Sequence, residues 1–258
     1  MKAATNDRPG FWQRSHHLDK MTFKELVVAY FQYPAIIAYL ALSVLAMVVF
    51  AYYPATLLQT LASIVVAAMI YPLAWYLIHR YILHSNWMFK VPGMASTWKR
   101  IHYDHHQDPN HLEVLFGALH TTLPTIAIAS IPFGYAIGGV GGAMAAFATG
   151  LLTTAFYEFC HCIQHLAYKP KNKMLAAWKK NHMAHHFHDE NGNFGITSYF
   201  WDHLFGTYYD RAKGDRPNKS ETVFNLGYTP EVAEKYPAVK NLSGGIVATT
   251  HPRKREAA

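Results

Sequence analysis

Histidine dominates the chemistry available to this chain. It occurs 17 times in 258 residues, against 16 Asp and Glu together. Ten of the 17 fall into four clusters that alternate pair, triplet, pair, triplet. These are His79 and His84, then His102, His105 and His106, then His161 and His165, then His182, His185 and His186. Positions i, i+3 and i+4 share one face of an α-helix, so each HxxHH triplet presents three imidazoles together. His161 and His165, four apart, share a face as well. His79 and His84 are five apart, about 140° round an ideal helix, and need a helix end or a local distortion to point the same way. Ten imidazoles can supply about five nitrogens to each of two metal ions, and neutral imidazole suits zinc, copper, iron and nickel. A lone histidine is ordinarily a hydrogen-bonded polar residue, but two triplets and two pairs in alternation call for a metal centre.

The elements that must position these clusters are apolar. No Lys or Arg lies between Glu25 and His79, or between Ile101 and Tyr168. The first gap holds apolar runs over residues 33–52 and 55–78, separated by Tyr53 and Pro54. The second holds runs over about 114–131 and 135–159, separated by Pro132, Phe133 and Gly134. Twenty helical residues span about 30 Å, the thickness of a bilayer core. The expected architecture is therefore all-α: four transmembrane helices in two hairpins, with each histidine pair-triplet set following one hairpin. Residues 80–113 and 160–258 would form a helical cap on one membrane face, the whole chain being a single membrane domain.

Hydrophobic residues make up 51% of the chain and charged residues 15%, against roughly 25% charged in a soluble domain, which excludes a disordered chain. The net charge of +7 raises the question of nucleic acid. All 23 Lys and Arg, however, lie on the side shared by the N-terminus, the 80–113 loop and the C-terminal region. That distribution is topology, and no nucleic-acid partner is expected. The positive-inside rule places both termini in the cytoplasm. Thr22 and Glu25 form a capping box that starts a helix ahead of the first span. Pro72 and Pro124 lie inside spans, which membrane helices tolerate. The GGVGG stretch reads as close helix packing. The late, long first apolar run is not a cleavable signal peptide.

The remaining histidines have no such pattern. His16, His17 and His251 are expected to be solvent-exposed in the tails. His111, His120, His188 and His203 lie near the clusters in sequence and are not expected to be ligands. Cys160 and Cys162 are too close for a disulfide framework and read as small packing residues.

The four clusters, written HRYILH (79–84), HYDHH (102–106), HCIQH (161–165) and HMAHH (182–186), resemble the fatty acid hydroxylase/sterol desaturase superfamily of integral membrane non-haem di-iron oxygenases. FGITSYFWDHLFGT (194–207) resembles the tail motif of its fatty acid 2-hydroxylase branch. This resemblance implies two iron ions and O2 as co-substrate; because imidazole sites accept zinc readily, zinc is also expected on purification. The resemblance further implies that one oxygen is inserted into an unactivated C–H bond. By motif position the ten clustered histidines would be the ligands. Trp201 and Asp202 match the tail's Trp-Asp, and Asp202 could accept the outward N–H of a ligand histidine. Glu158 and Asp104 are further candidates for that role. Members of this branch often carry a fused cytochrome b5 domain with an HPGG haem motif. The only His-Pro here, His251 and Pro252, is followed by Arg253, so a separate donor of cytochrome b5 or ferredoxin type is expected.

Histidines just beyond the ends of spans sit at headgroup depth, where an acyl chain can reach them from the bilayer and be oxidised near its head end. The sequence HYDHHQDPNHLEVLF also resembles β-carotene hydroxylases. Carotenoid ring hydroxylation and sterol oxidation or desaturation therefore stand as alternatives on the same scaffold. A histidine-rich metal transporter would place polar ligands near the bilayer midplane, whereas His120 is the main ionisable residue within these spans. The absence of HExxH argues against a zinc protease. Both a bacterial inner membrane, favoured by the small size, and an endoplasmic reticulum membrane fit this topology.

Overall fold

The computed structural model describes residues 16–251 and Lys254. Among the described residues the regular structure is helical, apart from one isolated bridge between His17 and His111. Helix α1 (Phe23–Gln32) begins at the expected capping box: the Thr22 side chain accepts from Glu25 N, and the Glu25 carboxylate accepts from Thr22 N. Pro34 then starts α2 (Pro34–Tyr52), where its missing N–H costs no hydrogen bond. A second capping box, Thr56 with Gln59, starts α3 (Leu57–Ile78). Helix α3 runs uninterrupted past Pro72.

Three helical stretches are long and apolar enough to cross a membrane: Pro34–Tyr52, Leu57–Leu83 and Leu112–His165, with mean hydropathies of 2.4, 2.0 and 1.6. Only 28%, 17% and 33% of their most apolar windows are buried within the protein. The rest of their apolar surface, including Val44, Leu45, Leu58, Met69 and Ile128, faces outward. Helices apolar on all sides are stable in that state only against lipid or other protein.

The long helix α7 (Leu119–His165) corrects the expected boundary between the third and fourth runs. Pro132, Phe133 and Gly134 are helical, and the break falls later, at Gly138 (φ −144°, ψ 27°) and Gly139 (φ 59°, ψ −144°). Proline's fixed φ suits a helix, whereas the Gly139 conformation is closed to residues with a Cβ. The two arms fold back on each other. A Cβ on Gly142 would collide with the carbonyl oxygen of Gly134, and one on Gly150 would come within 2.9 Å of Ile126 Cγ2. Residues 126 and 150 would be about 36 Å apart along a straight helix. The GGVGG stretch therefore serves both as the break and, through Gly141 and Gly142, as a close-packing surface.

The cap follows from two short interruptions. After α3 comes a π-helical turn, His79–Leu83, then α4 (Pro92–Trp98), a second π turn, Lys99–Tyr103, α5 (Asp104–Gln107) and α6 (Leu112–Leu115). After α7 come α8 (Lys173–Phe187), α9 (Phe200–Leu204), α10 (Pro230–Lys235) and α11 (Ala238–Leu242). One hydrophobic core, with Leu26, Tyr30, Ile36, Tyr39, Phe116 and Leu151, joins α1 and α2 to α7. A second, with Phe89, Trp98, Tyr103, Tyr228 and Val239, holds the cap together.

Gly142→Val forces the two arms of α7 apart and is expected to destabilise the fold by about 1–3 kcal/mol or more. Thermal unfolding in detergent checks this, with a lower Tm for Gly142→Val. Gly93→Ala, where no atom lies within 4 Å of the added Cβ, should leave the Tm unchanged or raise it.

Candidate metal centre

All ten clustered histidines converge between the apolar helices and the cap. Five of them, His105, His161, His165, His182 and His186, form one group whose ligand-type nitrogens lie within 4.8 Å of one another. His79, His84, His102 and His185 form a second, and His106 joins His185 and His186 in a third that lies between them. Nine of the ten are buried, and His84 is partly exposed. The grouping does not follow the chain order. Each triplet sends one member to the other hairpin's pair: His105 joins the later pair, and His185 joins the earlier one.

The π turn at 79–83 answers the awkward five-residue spacing. His84 N donates to His79 O at 3.1 Å, the i→i+5 bond of a π-helix, and this brings both rings to one side. The Nε2 atoms of His79 and His84 are then 3.2 Å apart. The second π turn closes with Asp104 N donating to Lys99 O and sets the 102–106 triplet.

The hydrogen-bonding arithmetic of these nitrogens calls for a cation. His79, His84 and His102 have Nε2 atoms at mutual distances of 3.2, 2.8 and 3.2 Å. Each neutral Nε2 is either a donor or an acceptor. Three of them in a triangle must leave at least one like pair in contact. Two tautomers are also set from outside. His79 Nδ1 meets Phe194 O at 2.6 Å and His185 Nδ1 meets Gly192 O at 2.8 Å. A carbonyl only accepts, so both Nδ1 atoms carry the proton and both Nε2 atoms turn a lone pair inward. His185 Nε2, both nitrogens of His186, and the Nδ1 atoms of His105, His106, His165 and His182 are buried without a hydrogen-bond partner. Buried unpaired polar atoms are costly; a metal ion accepting the His185 Nε2 lone pair and one from His186 removes that cost at those two rings, while on His105, His106, His165 and His182 it is the Nε2 atoms that face neighbouring histidines. Nitrogens about 3 Å apart are also what neighbouring ligands about 2.1 Å from a shared ion display. The residues present therefore fit a metal centre.

Burial, reinforced by neighbouring imidazoles, holds His84, His102, His105, His106, His182 and His186 well below the usual histidine range. Burial also brings His185 down to about 4, against the opposing effect of its Gly192 bond. At neutral pH these rings are uncharged, the form that binds metal.

Of the two orienting carbonyls, Phe194 O belongs to the first residue of the tail motif, and Gly192 O to the loop just before it, which the sequence pattern did not single out. Asp202 accepts from Phe194 N (2.8 Å), Gly195 N (2.9 Å) and Thr207 Oγ1 (2.8 Å). Its action on His79 therefore runs through the Phe194 peptide, which corrects the expectation of a direct bond to a histidine. A Cβ on Gly195 would collide with Ser198 O, and one on Gly192 with Thr207 O. Asn193, at φ 54°, bonds both backbone faces of Tyr209. Asp189, buried, is held by Arg216 and Lys219 at 3.2 and 3.0 Å. The signal was present in the sequence as Asn-Gly-Asn (191–193), which leads directly into the Phe-Gly of the tail motif.

The other candidates separate cleanly. Trp201 stacks on Phe205, which in turn stacks on Tyr76, three residues before His79. Asp104 is ion-paired to Lys99 at 2.6 Å. Glu158 is buried and accepts from Gly117 N at 3.1 Å, beside a small cavity that it shares with His79, His102, His105 and His161. His120 and His203 are exposed, and His188 bonds Arg216 O. His111 lies 2.8 Å from Glu113. None of these four belongs to a metal-type group among the described residues.

The tail histidines differ from expectation. His16 bonds Glu113 at 2.7 Å, His17 stacks on His111, and His251 is buried against Phe187 and Phe224. The N-terminal segment is pinned to the cap by backbone pairing at Asn110 and Leu112, which a pattern reading of the tail could not foresee. Cys160 and Cys162 are buried free thiols outside the histidine groups.

A model of the fatty acid hydroxylase family matches residues 64–207, a stretch that contains all ten histidines and Asp202. The chain is 34% identical over 140 residues to a dihydroceramide fatty acyl 2-hydroxylase of Arabidopsis thaliana, covering 51% of this chain and 54% of that protein. It is 29% identical over 150 residues to the ceramide very long chain fatty acid hydroxylase of Saccharomyces cerevisiae, covering 55% and 37%. It is 29% identical over 149 residues to the fatty acid 2-hydroxylase of Rattus norvegicus, covering 55% and 38%. The chain thus spans between 37% and 54% of the length of these curated relatives. A solved structure of full-length scs7p, in which only the hydroxylase domain is visible, is similar with a TM-score of 0.60 at 26% identity. That likeness covers 74% of this chain and 69% of the other.

Asp202→Ala frees the loop that holds the Phe194 carbonyl against His79. Metal affinity measured by chelator competition should fall about 10–100-fold, the usual loss when a ligand's orienting partner is removed. An unchanged affinity would show that the loop does not orient His79.

Proposed function

The chain belongs to the fatty acid hydroxylase family, and from that premise we propose that it is an O2-dependent monooxygenase acting on a fatty acyl chain near its head end. The overall conversion takes a C–H bond, O2, two electrons and two protons to an alcohol and water. The observation that carries the reading is the convergence of ten imidazoles, with the Nε2 lone pairs of His79 and His185 turned inward, four of the ten lining a small cavity beside α3 and α7. His105, His161, His165, His182 and His186 would hold one ion, and His79, His84, His102 and His185 the other, with His106 at the join. Two iron ions held there would supply the O2 activation that an unactivated C–H bond requires, and zinc is expected to occupy the same nitrogens on purification.

This chain's own residues do the rest. Phe194 O and Gly192 O keep His79 and His185 in the ligating tautomer. Trp75, Tyr157 and Leu115 form an apolar part of the wall of the small cavity beside the histidines, which Glu158 also lines. We read the two arms of α7 as separate crossings, giving four spans with α2 and α3, and place the basic cap in the cytoplasm by the positive-inside rule. On the aqueous side a polar cleft of about 480 Å3 reaches His84. Lys90 and Lys235 lie on that cleft, each with Nζ within 6 Å of the Tyr236 ring centre. We assign this cleft to the electron donor, whose acidic surface would complement the two lysines, which outnumber the single carboxylate there, Glu190. The names of the matched relatives favour the acyl substrate over carotenoid or sterol.

The test is lipid mass spectrometry of cells with and without the protein, grown under isotopically labelled O2. A fatty acyl lipid carrying one labelled oxygen should appear with the intact protein and fall to background with His105→Ala/His106→Ala. A labelled product that survives the double substitution would sink the metal-site assignment, and no labelled lipid at all would sink the oxygenase reading.

A further inference from the structure

Three apolar spaces meet at one side chain. A cavity of about 200 Å3 lies among the end of α3, α4 and the start of α7, lined by Ile78, Ile82, Met88, Thr97, Ile101 and Thr121. Ile82 on its rim is 41% exposed, so this cavity reaches the lipid-facing surface. A second, small space of about 40 Å3 ends on His79, His102, His105 and His161. A third, narrow pocket of about 20 Å3 runs deeper between α3 and the two arms of α7, past Ala67, Ala74, Ile126, Ala129 and Gly150. Trp75 is the one residue that lines all three.

The position of the indole is held from both sides. Trp75 is one helical turn before His79, and Tyr157 is one turn before His161, so both rings lie on their helices' histidine faces. They stack at 5.3 Å between centroids and 16° between planes. Tyr71, one turn further down α3, closes on both rings at 6.0 Å. The stack forms a floor beneath the histidines, and Trp75 is its edge towards the lateral cavity.

We propose that Trp75 is a specificity-determining residue. It routes a single unbranched acyl chain through the lateral cavity and keeps the tail out of the deep pocket between α3 and α7. This rests on the acyl-chain reading above and goes beyond it by assigning the tail's path and the side chain that selects it. The lateral cavity is smaller than the roughly 300–1,000 Å3 of pockets that enclose drug-sized ligands, which suits a slender chain and not a fused ring system. With one path for the tail, one carbon is presented to the histidines. Ile78 and Thr125 also line both the lateral and the deep spaces, but Trp75 is the largest of the three side chains between them; removing the indole adds its own volume to the deep pocket and gives the tail a second path.

The experiment uses a free fatty acid carrying a photoactivatable diazirine at its tail end. The full-length protein in lipid nanodiscs is irradiated with this probe, and the labelled peptides are mapped. Wild type should label the segment containing Met88, Thr97 and Ile101. Trp75→Ala should move at least half of the label to the segment containing Ile126 and Ala129. Adding Ala129→Leu, which refills the deep pocket, should return it. Trp75→Phe, which keeps an aromatic ring against Tyr157, should give an intermediate pattern and serves where Trp75→Ala does not fold. In the active enzyme, Trp75→Ala should spread the hydroxyl over neighbouring carbons, a change that loss of stability alone does not produce. Label in the deep segment of wild type, or an unchanged pattern in the folded variants, overturns the proposal. Label in neither segment of wild type, with no hydroxylated lipid made, overturns the acyl-chain reading itself.

Discussion

The structure depends on one electrostatic constraint: many imidazole lone pairs are packed into a space that excludes water. Left to themselves, nitrogens about 3 Å apart repel or go unpaired, and burial magnifies that penalty. The fold accepts the arrangement because it holds the rings from outside. The Phe194 and Gly192 carbonyls take the outward protons of His79 and His185. A cation at the centre would remove that penalty, and metal binding would then add to the stability of the cap.

The supporting shell explains why the tail segment 194–207 is built as it is. The Asp202 carboxylate accepts from Phe194 N, Gly195 N and the Thr207 hydroxyl. Thr207 in turn meets the Tyr76 hydroxyl at 2.9 Å, and Arg80 reaches the same hydroxyl. The end of α3, the tail motif and the loop that orients His79 form one connected unit. Gly192 and Gly195 lack side chains because neighbouring backbone occupies the place of a Cβ.

The same centre faces two media. Trp75, Tyr157 and Leu115 form an apolar part of its wall, and its aqueous side reaches the polar cleft at His84. The π turns matter here as well, since each inserts one extra residue per turn and rotates the following histidines onto the cluster without a loop.

Local pattern was legible in the sequence because local physics sets it. Apolar runs of membrane length marked α2, α3 and both arms of α7, and Thr22 and Glu25 marked the start of α1. The i, i+3, i+4 rule placed each triplet on one face. The Pro132–Gly134 boundary was misread because proline fits a helix and the decisive break needs only glycine's dihedral freedom at Gly138 and Gly139. The exchange of His105 and His185 between groups, the carbonyls that set two tautomers, and the burial of His251 came only from the tertiary structure. They arise from contacts between residues far apart in the chain, and spacing along a chain carries no information about which distant segment a side chain will meet. The sequence alone determined that ten histidines would act together at one end of apolar helices. Only the folded chain decided which of them share a centre, because that depends on where α5 and α8 set their triplets relative to the pairs after α3 and in α7.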